Sequence, residues 1–425
     1  MLRTVHTFFL TVAFSVAPCT VSLGCAEILT RDDAIRIGLE RNPGIIAAWN
    51  EWEAARAKLL QARALPDPEF ELEYEELPGS LNLGSFGERN LGIVQTIPFP
   101  VKWMLHNRAA GQHTEAVRNS TFEVKKLEVR TAIKVLFDRI LLGKTILVYV
   151  EQNLELTKAF QAKTKVRFNA GDVSMLDVLR AEVELGRAQS RVTTAKNDLS
   201  IFGAELNTML ARDTQSSFDV SGELVFRPLD IELESMKKTA LENRPDLNGA
   251  EKSFEESQTL KKLAVTSIVP DMNVGAFRQT LRDTAGREGY WHLSVGFDIP
   301  LWAMVRRRGE IAEAAAEVGR SNALKQSLRN QALLEVENAY RNLKSLEEQV
   351  ELYREKTLDA VEKSYEMANR SYQEGKATYL ELLEAQRILT ETRIEYAEIL
   401  FRYSSELSIL ERSVGKDIDE LSHTR

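Results

Sequence analysis

The chain has 425 residues, 44% of them hydrophobic and 28% charged, which is long enough for two or three ordinary domains and too apolar for a disordered protein. Its 55 basic and 63 acidic residues give a formal net charge of −8, the opposite of the balance expected of a nucleic-acid-binding protein. Residues 101–227 and 301–425 contain none of the eleven prolines, and these stretches predict long uninterrupted helices.

Residues 1–26 have the order of a secretory signal peptide. Arg3 precedes an apolar run over residues 8–16, which is too short for a permanent membrane anchor, and small residues follow up to Ala26. Cleavage after Ala26 and acylation of Cys25 are both compatible with this segment. The two cysteines of the chain lie within it, so no disulfide is expected in the exported protein.

Later segments lack 18 consecutive apolar residues, since the best of them, residues 140–150, is interrupted by Gly143 and Lys144. We therefore expect an exported protein without a membrane-spanning helix. Such a protein would be periplasmic, secreted, or a transmembrane β-barrel.

The chain repeats itself at an offset of 202 to 204 residues. Residues 39–43 recur at 241–245, and the pattern of residues 171–181 recurs at 375–385. A constant offset along the chain indicates a duplicated unit of about 200 residues.

Two structural repeats are predicted, residues 27–226 and 227–425, with the same order of elements. A helical stretch of about 30 residues, closed by proline, leads into two strand-like segments around a polar loop. A helix of about 65 residues follows, which would reach on the order of 100 Å. After a turn at Gly171 or Gly375, a helix of about 35 to 40 residues returns.

The long helices have narrow apolar seams, with residues spaced alternately by three and four as in coiled coils. The seams cover residues 178–209 and 382–414 of the returning helices and residues 336–353 of the second long helix. A rod-shaped helical protein of the spectrin type would also have such seams, but it would have no use for the strands.

Four segments alternate between polar and apolar residues, strictly in residues 69–75 and 291–299 and more weakly in 90–98 and 272–280. Their length suits tilted membrane strands. The first strand has four carboxylates on the face opposite its apolar side chains: Glu69, Glu71, Glu73 and Glu75.

Four membrane strands would leave two open edges, which a bilayer does not tolerate. We therefore predict a barrel shared between copies of the chain, and three copies give twelve strands with room for a pore. The predicted fold is mainly α with a small transmembrane β part. Soluble hairpins that cap a helical rod are the alternative.

The duplicated unit, the hairpin in each half, and the turn motifs FNAG at 168–171, YQEG at 372–375 and TYLELLEA at 378–385 resemble the TolC-type outer-membrane efflux proteins. The resemblance covers essentially the whole mature chain. It implies a homotrimer with a barrel in the outer membrane and a helical tunnel in the periplasm. It also implies docking of the tunnel tip, at Ala170, Gly171 and Gly375, onto a periplasmic adaptor (membrane fusion protein) of an inner-membrane pump.

The resemblance further implies a gate near the tip. The family links neighbouring helix pairs through an acidic residue, a tyrosine and an arginine, and the matching positions here are Asp177, Tyr372 and Ala377. Ala377 cannot donate a charged hydrogen bond, and Lys376 is the candidate substitute although it lacks the fork of an arginine. How the closed gate is held is therefore open.

Glu381 and Glu384 match the positions at which the family places acidic rings around the tunnel entrance. They are three residues apart, so both project near one helix face. In a trimer they would place six carboxylates in a narrow lumen, which would attract cations. Two ordinary solvated glutamates are the alternative.

The sequence contains no catalytic constellation, no nucleotide-binding loop and no convincing metal-ligand spacing, so neither enzymatic activity nor a cofactor is expected. Without a nucleotide site the chain cannot energise transport, and a passive exit duct is the predicted function. A periplasmic coiled-coil adaptor is the less favoured alternative, because it has no reason to keep amphipathic hairpins.

The substrate is left open by the sequence. The segment QTIPFP at 95–100, followed by Lys102, is similar to the branch of the family that exports heavy-metal cations. The carboxylates of the first strand would favour cations if they faced the lumen. Drug or solvent efflux and type I protein secretion remain alternatives.

Overall fold

The structure is a computed structural model that describes residues 27–77, 83, 85–283, 286–298 and 303–418. The predicted signal peptide, with Cys25, lies outside the described residues. The chain is mainly helical and has a small β part.

The first half comprises the following elements: β1 (Glu27–Leu29), α1 (Arg31–Arg41), α2 (Pro43–Arg63), β2 (Glu69–Glu75), β3 (Glu88–Ile97), α3 (Pro100–Val117), a π-helical segment (Arg118–Glu123), α4 (Val124–Asn169), α5 (Met175–Met209) and β4 (Phe218–Val220). The second half comprises these: α6 (Leu233–Asn243), α7 (Pro245–Thr266), β5 (Met272–Asp283), β6 (Gly286–Phe297), α8 (Ala303–Leu352), a π-helical segment (Tyr353–Thr357), α9 (Leu358–Gln373) and α10 (Tyr379–Val414). Both halves therefore run through helices, a hairpin, a long helix and a returning helix.

The first helical stretch of each half is two helices, where the sequence analysis expected one. Pro43 begins α2 and Pro245 begins α7, and proline provides no N–H for a continuing helix. The residue before proline is driven out of the helical conformation, and Asn42 (φ −62, ψ 123) and Arg244 (φ −66, ψ 121) are both extended. The side chain of Asn42 then accepts a hydrogen bond from the Gly44 N–H and caps α2.

Each long helix is a continuous helical run, over residues 100–169 and 303–373, and each contains a π-helical segment. The two segments lie at different places in their halves, beginning about a quarter of the way along the first run and more than two thirds of the way along the second. Among the described residues, no helix is both long enough and apolar enough to cross a membrane.

Each half has its own hydrophobic core at the middle of the long helix. The core of the first half includes Ile133, Ile140 and Leu206, all at most 4% exposed. The core of the second half is built around Val336, Leu343, Tyr403 and Leu410. Its members lie 203 or 204 residues after their counterparts, so the sequence repeat is reproduced in the packing.

A buried carboxylate joins the two halves. Asp138 of α4 is 2% exposed, and it accepts hydrogen bonds from Arg31 of α1 and from the Ser404 hydroxyl of α10, the latter at 2.6 Å. Burial raises the pKa of Asp138, and the charge of Arg31 opposes that shift. The start of the described chain is thereby fixed to the last helix.

The four longer strands form an antiparallel sheet in the order β2-β3-β5-β6, so the two hairpins pair through β3 and β5. A separate pair, β1 and β4, is parallel and closes the first half. The outer edges of β2 and β6 are not paired to another strand among the described residues.

The two faces of the sheet differ sharply. Directly opposed residues in antiparallel strands share a face, so Phe70 and Leu72 lie with Ile93 and Leu91. These apolar side chains are exposed, and so are their counterparts at the far edge: Trp291 (73%), Leu293 (78%), Val295 (62%) and Phe297 (57%). At the hairpin end Phe86 packs on Tyr74 of this face, with ring centroids 5.6 Å apart. The apolar side chains named above are left exposed by the described residues.

Candidate functional site

The two helical turns lie side by side at one end of the molecule, and both need glycine. Gly171 has φ +85 and Gly375 has φ +73, a region that residues with a Cβ rarely adopt. A Cβ at either position would meet nothing within 4 Å. Ala170, which ends α4 with helical angles, is exposed as well. The three residues assigned to the docking tip therefore share an open surface.

Both returning helices begin with a capping box. The carboxylate of Asp177 accepts hydrogen bonds from the Ser174 N–H (3.2 Å) and hydroxyl (2.8 Å). The carboxylate of Glu381 does the same with Thr378, at 2.7 and 3.1 Å. The Ser174 bonds lower the pKa of Asp177. Asp177, assigned to the gate, and Glu381, assigned to the acidic ring, thus occupy the same position of the two capping boxes. The spacings S-x-x-D and T-x-x-E in the sequence are typical of such a box.

Tyr372, the second gate residue, is 8% exposed and is held by the end of α4. Arg167 Nη1 donates a hydrogen bond to its hydroxyl at 3.3 Å, and the Phe160 ring lies 5.8 Å away, centroid to centroid. Lys163 Nζ lies 5.4 Å from the centre of the tyrosine ring. The arginine beside the tyrosine therefore comes from the first turn, not from position 377.

Lys376, the proposed substitute for that arginine, pairs with Glu374 at 2.7 Å and its side chain is 75% exposed. Sequence reasoning missed Arg167, although it directly precedes the first turn motif. In the described chain, Arg167 provides the tyrosine with its charged donor and Lys376 remains at the surface.

Tyr379 is a further residue of the tip that the sequence analysis did not select. Its ring stacks on Phe160 with centroids 4.0 Å apart and planes inclined by 7°. Its hydroxyl is buried and has no hydrogen-bond partner among the described residues. Burial, with a contribution from the charge of Glu184, raises the pKa of Tyr379 to about 12, so the hydroxyl keeps its proton.

Glu384, the other residue assigned to the acidic ring, is exposed and pairs with Arg387 at 2.7 Å. Glu381 is exposed too, although its carboxylate is engaged by Thr378. Both carboxylates lie in the first two turns of α10, next to the tip.

The four strand carboxylates share the polar face of the sheet. Glu69, Glu71, Glu73 and Glu75 alternate with the exposed apolar side chains of β2. The register places Asn90 opposite Glu73 and Glu88 opposite Glu75, and Gln279 of β5 donates to Glu88. This face is therefore rich in carboxylates and amides, while the other is apolar.

Among the described residues, no group of three His, Cys, Asp or Glu side chains is arranged to hold a metal ion. The one histidine that contacts a carboxylate in this part of the chain, His113, lies with Nδ1 3.2 Å from Glu256.

Comparison with known proteins gives one consistent result. Residues 237–416 match the profile of the family described as outer membrane efflux protein. The cobalt-zinc-cadmium resistance protein CzcC of Cupriavidus metallidurans is 22% identical over 393 residues, which span 91% of this chain and 90% of CzcC.

Solved structures of outer-membrane channels have the same fold. CusC superposes with a TM-score of 0.77 at 17% identity, over 93% of this chain and 96% of CusC. The Campylobacter jejuni CmeC outer membrane channel gives a TM-score of 0.76 at 15% identity, over 92% of this chain and 88% of CmeC.

Proposed function

We propose that this chain, which belongs to the outer-membrane efflux protein family, is the passive exit duct of a tripartite efflux system. It is an outer-membrane protein whose helical tunnel lies in the periplasm. It carries substrates from an inner-membrane pump and its periplasmic adaptor to the exterior. Members of the family are channels rather than enzymes.

The four-stranded sheet is the observation that best supports this proposal. A four-stranded sheet with two unpaired edges and one exposed apolar face is not a stable end state in water or in lipid. Three copies that pair β6 of one protomer with β2 of the next would close a twelve-stranded barrel. The apolar face would then contact lipid, and the carboxylates of β2 would line the pore.

The helices support a threefold assembly as well. Exposed apolar residues form a stripe along α5, namely Leu176, Leu179 and Val183, and Leu380 and Ile388 are exposed on α10. Positions three, four and seven apart lie on one helix face, and such seams pack against neighbouring helices in coiled coils. Neighbouring protomers would cover these residues and enclose a tunnel.

The structural repeats, residues 27–226 and 227–425, would then alternate around the tunnel, with each contributing one helical turn to its tip. We propose that Asp177, Tyr372 and Lys376 close the tip through contacts between neighbouring helix pairs. Arg167 joins this set, because it already donates to Tyr372 within the protomer. The unpaired hydroxyl of Tyr379 is a donor that a neighbouring protomer could satisfy.

We also propose that Glu381 and Glu384 form the acidic ring at the entrance. Single-channel recording in planar bilayers tests both the channel and the ring. Glutamine is the replacement of choice, because Glu381→Gln keeps an acceptor for the capping box while removing the charge. The double variant Glu381→Gln, Glu384→Gln should lose cation preference, and block by multivalent cations should weaken by about tenfold.

Glu155→Gln is the matched control, since Glu155 is an exposed glutamate of α4 (side chain 72%) that pairs with Lys158. It should behave as wild type. If the wild-type protein, purified as a trimer, gave no conductance, the exit-duct proposal would fail. If the double variant conducts with unchanged cation selectivity, the acidic ring is excluded, whereas the exit-duct proposal stands.

We propose heavy-metal cations as the substrate class. The likeness to CzcC and the carboxylate-rich face of the sheet favour cations over other substrates. Deleting the gene should sensitise cells to cobalt, zinc and cadmium salts and leave growth in dyes and bile salts unchanged. The reverse pattern would assign the duct to drug or solvent efflux, and no sensitivity to any of them would favour type I protein secretion.

A further inference from the structure

The outer edges of β2 and β6 present matching rows of backbone groups. Neighbouring residues of a strand direct their N–H and C=O groups to opposite sides. The Arg282 N–H donates to the Gly87 carbonyl (2.8 Å), so the groups of the apolar-face residues lie between β3 and β5. By alternation, Leu72 of β2 and Leu293 of β6, which belong to that face, direct their groups to the outer edges. Each outer edge can therefore continue the sheet with another strand.

The internal repeat relates the strands of the two halves residue by residue. Pro66, just before β2, recurs as Pro270 just before β5, at an offset of 204 residues. Pro98, directly after β3, recurs as Pro300 at an offset of 202 residues. The counterpart of β2 is therefore β5 at an offset of 204, and the counterpart of β3 is β6 at an offset of 202.

The registers of the two hairpins obey these offsets. Leu72 of β2 opposes Leu91 of β3 in the first hairpin. The offsets convert this pair into Ala276 and Leu293, and these two residues oppose each other in the second hairpin. The repeat therefore preserves the pairing of individual residues, and not the order of the strands alone.

The contact between the hairpins can be carried over in the same way. Gly92 of β3 opposes Phe277 of β5 where the two hairpins meet. The same offsets convert Gly92 into Ser294 of β6 and Phe277 into Glu73 of β2. In a ring of alternating hairpins, β6 of one protomer thus meets β2 of the next with Ser294 opposite Glu73.

This register also gives the barrel an acceptable tilt. Within one protomer, the directly opposed residues lead from Glu69 through Val94 and Gly275 to Ser294. Closure of Ser294 onto Glu69 of the next protomer would leave the strands without stagger, which a closed barrel requires. Closure onto Glu73 instead advances the register by four residues per protomer and by twelve around the trimer. With a rise of about 3.4 Å and a strand spacing of about 4.8 Å, the tilt is about 35°, as in membrane barrels.

His292 gains a partner in this arrangement. Gln279 of β5 opposes Asn90 of β3, and the repeat converts this pair into Glu75 and His292. Both are exposed residues of the polar face. At the new seam they form a non-hydrogen-bonded pair, in which the side chains of opposed residues are close. Glu75 also opposes Glu88 in its own protomer, so the imidazole lies beside two carboxylates that repel each other.

We propose that β6 of one protomer pairs with β2 of a second copy of this chain in this register, with Ser294 opposite Glu73 and His292 opposite Glu75. The inference rests on the proposed trimeric barrel and adds the pairing of residues at its three seams. His292 donates a hydrogen bond across the seam to the Glu75 carboxylate and offsets the repulsion from Glu88. The seam is thereby fixed by side chains on the pore side and by backbone hydrogen bonds of the apolar-face residues.

Disulfide trapping tests the register. Ser294→Cys is combined in turn with Glu71→Cys, Glu73→Cys and Glu75→Cys, and outer-membrane preparations are oxidised with copper phenanthroline. Opposed Cα atoms of a non-hydrogen-bonded pair lie about 4.5 Å apart and suit a disulfide, whereas diagonal neighbours lie about 7–8 Å apart. The Glu73 combination should give about tenfold more covalent trimer on non-reducing gels than either of the others. Wild type, whose two cysteines lie in the predicted signal peptide, gives the background.

Dissociation of the trimer on heating in detergent tests the contact between His292 and Glu75. His292→Glu should lower the dissociation temperature, because it adds a third carboxylate beside Glu75 and Glu88. The exchange variant His292→Glu, Glu75→His should restore it, since the same pair is then present in reverse. His106→Glu is the matched control, because His106 is an exposed histidine of α3 away from the seam, and it should dissociate as wild type does.

The outcomes separate the register from the assembly. Strongest trapping of Ser294 with Glu71 or with Glu75 would overturn the register and with it the proposal. An exchange variant that dissociates no later than His292→Glu would overturn the contact across the seam. If wild type instead formed no trimer in the outer membrane, the proposed function itself would be rejected.

Discussion

Replacing Ala170 with arginine is expected to abolish export while the protein still assembles in the outer membrane. Ala170 is exposed, and its φ of −79 suits any residue, so the longer side chain should not strain the fold. Gly375→Arg should have the same effect on export, with an added cost of about 1–2 kcal/mol for a positive φ. Both would place a bulky cation on the surface proposed to dock the adaptor.

The measurement is the growth of a deletion strain that expresses each variant, in the compounds to which the deletion sensitises the cells. Resistance should fall to the level of the deletion, while outer-membrane fractions contain normal amounts of trimer. Gly319→Arg is the control, because Gly319 is an exposed helical glycine of α8 at which a Cβ would meet no atom within 4 Å. Full export by both tip variants would place adaptor docking elsewhere.

The variant Leu343→Ala is expected to have the largest effect on stability. Leu343 is fully buried in the core of the second half, next to Val336 and Leu410. Truncation there loses apolar burial and leaves a cavity, which together cost about 2–5 kcal/mol. The melting temperature of the detergent-solubilised protein should fall accordingly.

Leu334→Ala provides the comparison within α8, since Leu334 is 58% exposed and nine residues earlier. It should change the free energy of unfolding by no more than about 0.5 kcal/mol. If both variants lost a similar free energy of unfolding, burial of Leu343 in the core would contribute no more to stability than an exposed leucine of the same helix.

Local patterns were enough to predict most of the fold. Alternation predicted a strand over residues 69–75, and β2 spans Glu69–Glu75. The glycine turns at 171 and 375 also lie where the repeat placed them. Each of these features is encoded within a few neighbouring residues, so a periodicity or a single glycine reveals it. The breaks at Asn42 and Arg244 were missed even though the prolines that cause them were in view.

Features that depend on residues far apart in the chain could not be predicted from local sequence patterns. The three-residue strand β1 is fixed by its pairing with β4, at the opposite end of the first half, and has no alternation of its own. Arg167 gains its role from Tyr372, 205 residues later, through the packing of two helix ends. No spacing rule connects such positions, and only the folded arrangement of α4 and α9 brings them together.

The π-helical segment Tyr353–Thr357 accounts for a one-residue difference between the halves. The cores are offset by 203 residues at Ile140 and Leu343, whereas the glycine turns, Gly171 and Gly375, are offset by 204. The second long helix thus has one more residue between core and turn, and a π-turn holds an extra residue in nearly the same axial length. The two turns can therefore remain level, and an insertion that would have tilted the proposed docking surface is absorbed far from it. In this way the number of residues between core and turn could change during evolution without a change in the axial length of the helix.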